Sequence, residues 1–180
     1  AMYAGDFATA MAESNTVIEQ NPEFGYALLT LGRSAMASGD ERAARAAFER
    51  LGASGGMGSS LAPLGLADLA LYHGRAAEAA AILEAAVSTA QNAFERAAMM
   101  VALGEARLQV GDGSGAATAA AEAVGLSNHE SVLYLAARLL LAAGQGDEAE
   151  RIAVTLDNRL QTQTSALARL IRAERDLADG

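Results

Sequence analysis

The sequence predicts an all-α fold in which antiparallel helix pairs stack as a solenoid. Glycines recur at intervals of 34, 35, 37 and 33 residues, and each is followed five residues later by alanine. Apolar residues three and four apart flank these glycines, as on one face of an α-helix. No stretch alternates with period two and is enriched in β-branched residues, so strands are not expected.

The repeating glycines share a register with the residues around them. The glycine–alanine pairs are Gly5/Ala10, Gly39/Ala44, Gly74/Ala79, Gly111/Ala116 and Gly144/Ala149, and a further step of 36 residues reaches Gly180. A small residue lies seven positions before each glycine, at Gly32, Ala67, Gly104, Ala137 and Ala173. We expect the small residue to admit a closely packed helix, and the glycine to end its helix in a left-handed conformation.

Capping residues indicate where the helices begin. Aspartates directly follow three of the glycines and are suited to cap the next helix, at Asp6, Asp40 and Asp112. Other start signals are Asn21-Pro22-Glu23, with proline at the first helical position, and two capping boxes, Asn92–Glu95 and Ser127–Glu130. The predicted helices are 6–20, 23–38, 41–52, 61–73, 76–90, 93–110, 113–125, 129–143, 147–159 and 164–179.

The predicted organisation is one helical repeat domain over residues 1–180. It comprises a partial repeat over 1–20, repeats over about 23–53, 61–90, 93–125 and 129–159, and a final helix over 164–179. The link ASGGMGSS, from Ala53 to Ser60, is predicted to be flexible and to precede the helix that contains Pro63. Both ends of the chain fall within a repeat, so we expect a segment of a larger protein.

The repeat resembles the tetratricopeptide repeat (TPR) family. The clearest copy runs from Leu31 to Phe48 and contains Leu31-Gly32, Gly39-Asp40, Ala44 and Phe48. The third and fourth copies have Ala120 and Ala153 where the family usually has a large residue. The resemblance covers nearly the whole chain. It implies a TPR-type right-handed superhelical solenoid that binds other proteins, within a larger bacterial multi-repeat protein with a signalling or regulatory role.

Composition limits the classes of partner. Hydrophobic residues make up 52% of the 180 residues, and 13 basic residues stand against 22 acidic ones, for a net charge of −9. This balance argues against nucleic acid, which requires clustered cations, and favours a basic partner. No apolar run reaches the roughly 18 residues of a membrane span, and no signal sequence opens the chain. We therefore expect no membrane association and a cytoplasmic location.

The resemblance implies a partner-binding groove lined by the first helix of each repeat. Charged residues lie six positions before each glycine, at Arg33, Asp68, Glu105, Arg138 and Glu174. Further candidates on this surface are Tyr26, Leu29, Tyr72, Gln109 and Tyr134. Arg33 or Arg138 could pair with a carboxylate of a bound peptide. The alternatives are that these charges form ion pairs between repeats, or that the terminal helices pair between two copies in a homodimer.

No catalytic or metal-binding pattern is present in the sequence. The two histidines, His73 and His129, are predicted to lie at a turn and at a helix start, and the chain has no cysteine. The glycine-rich link lacks the Gly-Lys-Ser/Thr ending of a phosphate-binding loop. Asp68 and Glu105 could form a carboxylate pair across adjacent repeats, but no nucleophile accompanies them. We therefore expect no enzyme activity, no cofactor and no metal.

Overall fold

The computed structural model describes residues 1–179 and contains ten α-helices within them. Gly180, the sixth glycine of the predicted period, lies outside the described residues. After a 3-10 turn at Met2–Ala4, the helices are α1 (Phe7–Gln20), α2 (Gly25–Ala37), α3 (Glu41–Ala53), α4 (Met57–Tyr72), α5 (Ala76–Thr89), α6 (Ala93–Gln109), α7 (Gly113–Leu126), α8 (Glu130–Ala142), α9 (Gly146–Asp157) and α10 (Thr162–Asp179). The described residues include no strand, so the predicted all-α fold is confirmed.

The chain divides into two compact units, Ala1–Ile82 and Leu83–Gly180, and the boundary falls within α5. In the first unit α1 packs on α2, α2 on α3 and α3 on α4, and α2 also contacts α4. In the second unit α6 to α10 pack in the same sequential manner, and α8 also contacts α6 and α10. We name α2, α4, α6, α8 and α10 the A helices, and the odd-numbered helices the B helices. The prediction of a single domain stays a prediction.

The register glycines occupy equivalent turns: four of them connect an A helix to the following B helix, and Gly5 connects the 3-10 turn to α1. Gly5, Gly39, Gly74, Gly111 and Gly144 all have φ between +72° and +83°. After each glycine, the next backbone N–H donates to the carbonyl five residues back, as from Asp40 to Ala35 at 2.9 Å and from Gln145 to Leu140 at 2.7 Å. These are Schellman turns, in which a glycine reaches the left-handed conformation without a Cβ penalty.

The predicted aspartate caps form as expected. The side chains of Asp6, Asp40 and Asp112 accept hydrogen bonds from the N–H groups of Thr9, Ala43 and Gly115, at 3.1, 2.9 and 2.8 Å. Hydrogen bonds from the Gly115 N–H and the Ser114 hydroxyl lower the pKa of Asp112, because they stabilise the ionised carboxylate. Each aspartate is therefore the N-cap one residue after its glycine, and the B helix begins at the next residue.

The asparagine cap is confirmed at Asn92, whose side chain accepts the Glu95 N–H at 2.9 Å. The returning Glu95 carboxylate accepts the N–H of Gln91 at 3.1 Å. The proposed Ser127–Glu130 box is wrong, because His129 is the N-cap of α8 and its Nδ1 accepts the Ser131 N–H at 3.3 Å. The Ser127 hydroxyl instead accepts the N–H of His129 at 3.2 Å.

Three helix starts differ from the prediction by two residues or more. α2 begins at Gly25 rather than at residue 23, because Asn21 closes α1 by donating its N–H to the Val17 carbonyl at 2.8 Å. Pro22 therefore lies in the turn between the helices. α4 begins at Met57 rather than at residue 61, so that Pro63 lies inside it. The third is α10, which begins at Thr162 rather than at residue 164.

The glycine-rich link is shorter than predicted, because some of its glycines form the turn between α3 and α4 and another allows these two helices to pack closely. Gly55 and Gly56 have φ of +70° and +51° and reverse the chain within three residues. A Cβ on Gly58 would lie 2.1 Å from the Leu51 carbonyl oxygen, so glycine permits the first turn of α4 to cross the end of α3. Glycine composition alone did not separate a close helix crossing from a flexible loop.

The core of the first unit is centred on the fully buried ring of Phe48. A Cβ on Gly32 of α2 or on Gly65 of α4 would lie 2.5 Å from this ring. In the second unit the equivalent small residue Gly104 faces Leu139 of α8, 2.6 Å from the position of an added Cβ. In α7 the position equivalent to Phe48 is Ala120, which is too small to fill this space. Leu139 of α8 packs against Gly104 instead.

Candidate functional site

The A helices of the first unit expose aromatic and charged side chains at the predicted positions. Tyr26 and Tyr72 are 60% and 61% exposed, near the start of α2 and at the end of α4. Arg33 and Asp68 are also exposed, and the positive charge of Arg33 acts on the Asp68 carboxylate. Leu29 differs from the prediction, because it is half-buried and packs against the core of this unit.

Asp68 combines an accessible carboxylate with a desolvated environment. Its side chain reaches solvent, but the surrounding protein displaces much of the water that would stabilise its charge. This desolvation raises the pKa of Asp68, and the attraction of Arg33 only partly opposes the rise. An incompletely hydrated carboxylate of this kind can accept a hydrogen bond from a ligand at a lower desolvation cost than a fully hydrated one.

The A helices of the second unit bring Tyr134, Arg138 and Glu174 into one cluster. Arg138 Nε donates to Glu174 Oε2 at 2.9 Å, and the Tyr134 hydroxyl donates to Glu174 Oε1 at 3.3 Å. The Arg138 guanidinium carbon lies 5.8 Å from the centre of the Tyr134 ring. The hydrogen bond to Glu174 raises the pKa of Arg138, so the guanidinium stays charged. The predicted ion pair between repeats therefore exists here, and Arg138 remains half exposed.

Glu105 and Gln109 extend this surface along α6. Both are exposed, and the Gln109 amide donates to Glu105 Oε1 at 3.5 Å, a long and weak hydrogen bond. The charge of Glu105 also acts on Arg138 of the neighbouring A helix. Glu105, Arg138 and Glu174 together carry one net negative charge, which suits a basic rather than an acidic ligand.

Sequence reasoning missed an ion-pair network between successive B helices of the first unit. Arg75 binds Glu41 at 2.5 Å and Glu78 at 2.7 Å, and Arg45 binds Glu78 at 3.0 Å. The hydrogen bond from Arg75 lowers the pKa of Glu41, and that from Arg45 has the largest effect in lowering the pKa of Glu78. The sequence does contain a signal for this network, because the paired opposite charges lie 33 and 34 residues apart, which is one repeat period.

The histidines lie at helix ends, as predicted. His73 is the C-cap of α4, with Nε2 3.4 Å from a Glu41 carboxylate oxygen, and His129 caps α8. Across residues 1–179, no group of three or more histidine, aspartate or glutamate side chains is arranged to hold a metal ion. Within the same residues, no helix combines the length and apolar character required to cross a membrane.

Comparison with known proteins gives a family match at the N-terminal end and a fold match along the chain. Residues 1–57 match the sequence profile of the tetratricopeptide repeat. A tetratricopeptide repeat protein from Parabacteroides merdae has a similar structure, with a TM-score of 0.67 and 16% identity over 99% of this chain and 67% of that chain. A thermophilic TPR protein of Thermus thermophilus is also similar in structure, with a TM-score of 0.65 and 21% identity over 98% of this chain and 93% of that chain.

A comparison with curated protein sequences found no match. The two solved structures share under a quarter of their residues with this chain, so they establish its fold rather than its role. The repeated Schellman turns, the alternation of A and B helices and the profile match agree with one another. This chain is therefore similar to tetratricopeptide repeat proteins: its first 57 residues match the family profile, and its described helices have the all-α fold of the two solved TPR structures.

Proposed function

We propose that the chain is a protein-interaction scaffold that binds a peptide or protein segment on the exposed face of its A helices. TPR proteins generally serve as binding scaffolds rather than as enzymes, and we extend that role to this chain. The observation that carries the proposal is the exposure of Tyr26 and Tyr72, both at least 60%, on the surface that also carries Arg33 and Asp68. Exposed tyrosine and arginine are characteristic of binding surfaces.

The preferred ligand is basic and partly apolar. The second unit offers Glu105 and Glu174 against a single Arg138, and the whole chain carries a net charge of −9. A lysine or arginine of the ligand would pair with these carboxylates, while its apolar side chains would pack on Tyr134 of the same unit. Association should weaken as salt increases, because exposed charge pairs are screened. A cytoplasmic location and a place within a larger regulatory protein belong to this proposal.

Selection of peptides from a displayed library on the intact chain would test the proposal. The affinity of the selected peptides would then be measured by calorimetry for the wild type and for an Arg33→Ala/Arg138→Ala variant. The matched control is Arg42→Ala/Arg151→Ala, which removes the same charge from exposed positions on the B helices α3 and α9. At least a tenfold loss confined to the A-helix variant supports the proposal, and equal affinities for all three proteins contradict it.

A second candidate function is self-association through α10. The small residue of the first four repeats is buried, but its counterpart Ala173 is exposed, and Leu170 and Leu177 are 48% and 83% exposed. An apolar stripe of this kind favours a helix from a second copy. Light scattering over a range of concentrations tests this function: a Leu170→Ser/Leu177→Ser variant should be monomeric where the wild type is dimeric. A wild type that stays monomeric at high concentration would rule it out.

A further inference from the structure

A cleft of about 450 Å³ lies in the second unit and shares no lining residue with the charged cluster on the A helices. It forms where the C-terminal ends of α5 and α7 meet the first half of α6. Three half-buried apolar side chains line it: Val87, Met100 and Leu126. Four exposed residues complete the lining: Ser88, Arg96, Glu122 and Gly125. The volume falls in the range of small-ligand sites, which run from about 300 to 1,000 Å³.

The charges of this cleft have no partner within the described part of the protein. Arg96 and Glu122 line the same space, but no ion pair or hydrogen bond joins them, and no other described side chain pairs with either. By contrast, Arg107, on the same helix as Arg96, binds Glu84 at 3.1 Å and the Gly115 carbonyl at 3.2 Å. Both charges in the cleft are therefore available to a ligand that offers an anion and a hydrogen-bond donor.

The position of Arg96 favours the anion of the ligand. Arg96 is the fourth residue of α6, so its guanidinium lies near the positive end of the helix dipole. A guanidinium also matches the planar geometry of a carboxylate, which it binds with two parallel hydrogen bonds. The apolar lining beside it suits an aliphatic side chain, whose binding there removes apolar surface from water.

We propose that this cleft binds the C-terminal residue of a peptide that ends in an aliphatic side chain. The terminal carboxylate lies against Arg96, the side chain packs on Val87, Met100 and Leu126, and the backbone N–H of the residue donates to Glu122. The site is separate from the A-helix face of the proposed function, since the B helices α5 and α7 supply much of its lining. Either surface can bind a ligand when the other does not.

The probes for this site are N-acetyl-L-leucine and N-acetyl-L-leucinamide, which lacks the carboxylate. Titration of the intact, isotope-labelled chain by NMR should shift the backbone signals of residues 87–88, 96–100 and 122–126. The amide should bind at least fivefold more weakly than the acid. Equal affinities, or shifts elsewhere in the chain, would overturn the proposal.

Two variants and a control complete the test. Arg96→Gln should weaken the binding of N-acetyl-L-leucine at least fivefold. Arg42→Gln, which removes an exposed arginine from α3 in the first unit, should leave that binding unchanged. Gly125→Leu should fill the cleft and abolish binding while leaving the fold intact, because a Cβ at Gly125 meets no atom within 4 Å. Unchanged binding in either cleft variant, with a native circular dichroism spectrum, would show that the cleft is not the site.

Discussion

The contact of Phe48 with two helical glycines gives a sharp prediction for Gly32→Ala. The substitution would place a Cβ 2.5, 2.8 and 2.9 Å from three carbons of the Phe48 ring. Carbon atoms in proteins pack at about 3.5–4.0 Å, so the ring would have to move by about 1 Å. Phe48 is fully buried where α3 packs against α2 and α4, so a displaced ring would press on other buried side chains of this core.

The expected loss follows from two opposing effects. Overpacking of this kind costs about 1–3 kcal/mol. Replacing glycine by alanine within a helix stabilises the folded state by about 0.5–1 kcal/mol, because alanine has less backbone freedom to lose. We expect Gly32→Ala to lower the free energy of unfolding by about 1–2 kcal/mol, which corresponds to a decrease in Tm of roughly 2–8 °C for a chain of this size. Gly65→Ala, equally close to the ring, should behave in the same way.

Urea unfolding followed by circular dichroism at 222 nm would measure these changes. The matched control is Gly125→Ala, since Gly125 also lies in a helix but has open space beyond it; this variant should be more stable by about 0.5–1 kcal/mol. A second check is the double variant Gly32→Ala/Phe48→Leu, in which the smaller side chain makes room for the new methyl group. The reasoning fails if Gly32→Ala is as stable as wild type, or if the effects of the two substitutions add without interaction.

Three further predictions concern the turns and the carboxylates. Gly144→Ala should lower the free energy of unfolding by about 1–2 kcal/mol, because Gly144 has φ of +76°, a conformation that is unfavourable for alanine. An unchanged Tm in thermal unfolding would contradict the role given to this turn. Asp68→Asn should stabilise the chain at pH 7. Because folding raises the pKa of Asp68, its charge opposes folding above that pKa, so the gain should shrink as acid protonates the wild type. Folding lowers the pKa of Asp112, so its contribution should be present above the ordinary carboxyl pKa and lost as pH falls through the lowered value. Unfolding measured from pH 7 to pH 3 should therefore show a weaker acid dependence in Asp112→Asn, and curves that coincide with wild type would count against the cap.

The helix order and the turns were predictable because they depend on local chemistry. A left-handed glycine followed by a capping aspartate determines where one helix ends and the next begins, and Gly39-Asp40 shows both features within two residues. The prediction was wrong where a residue could serve two purposes. Gly58 permits a helix crossing rather than a flexible link, and Pro22 lies in a turn rather than at the first helical position.

The candidate site was predictable as a set of positions but only partly as a set of contacts. The repeat period placed Arg138 beside Glu174, and the structure joins them at 2.9 Å. It also placed Arg33 near Asp68, where the charges interact without a direct ion pair among the described residues. The cleft at Arg96 was not predictable from the repeat, because its lining residues come from three helices and do not lie at the positions that recur with the glycines.

Alanine occupies most of the buried apolar positions in residues 1–179, and this choice sets how the protein responds to mutation. Alanine has no rotamers to immobilise, so folding this interior sacrifices little side-chain entropy. Each such position also has only a single methyl group to lose, so truncation removes little apolar contact. Enlargement is different, because closely spaced backbones leave no room for added carbon atoms. The interior should therefore tolerate substitutions to smaller residues far better than substitutions to larger ones, the reverse of an interior built from leucine and phenylalanine.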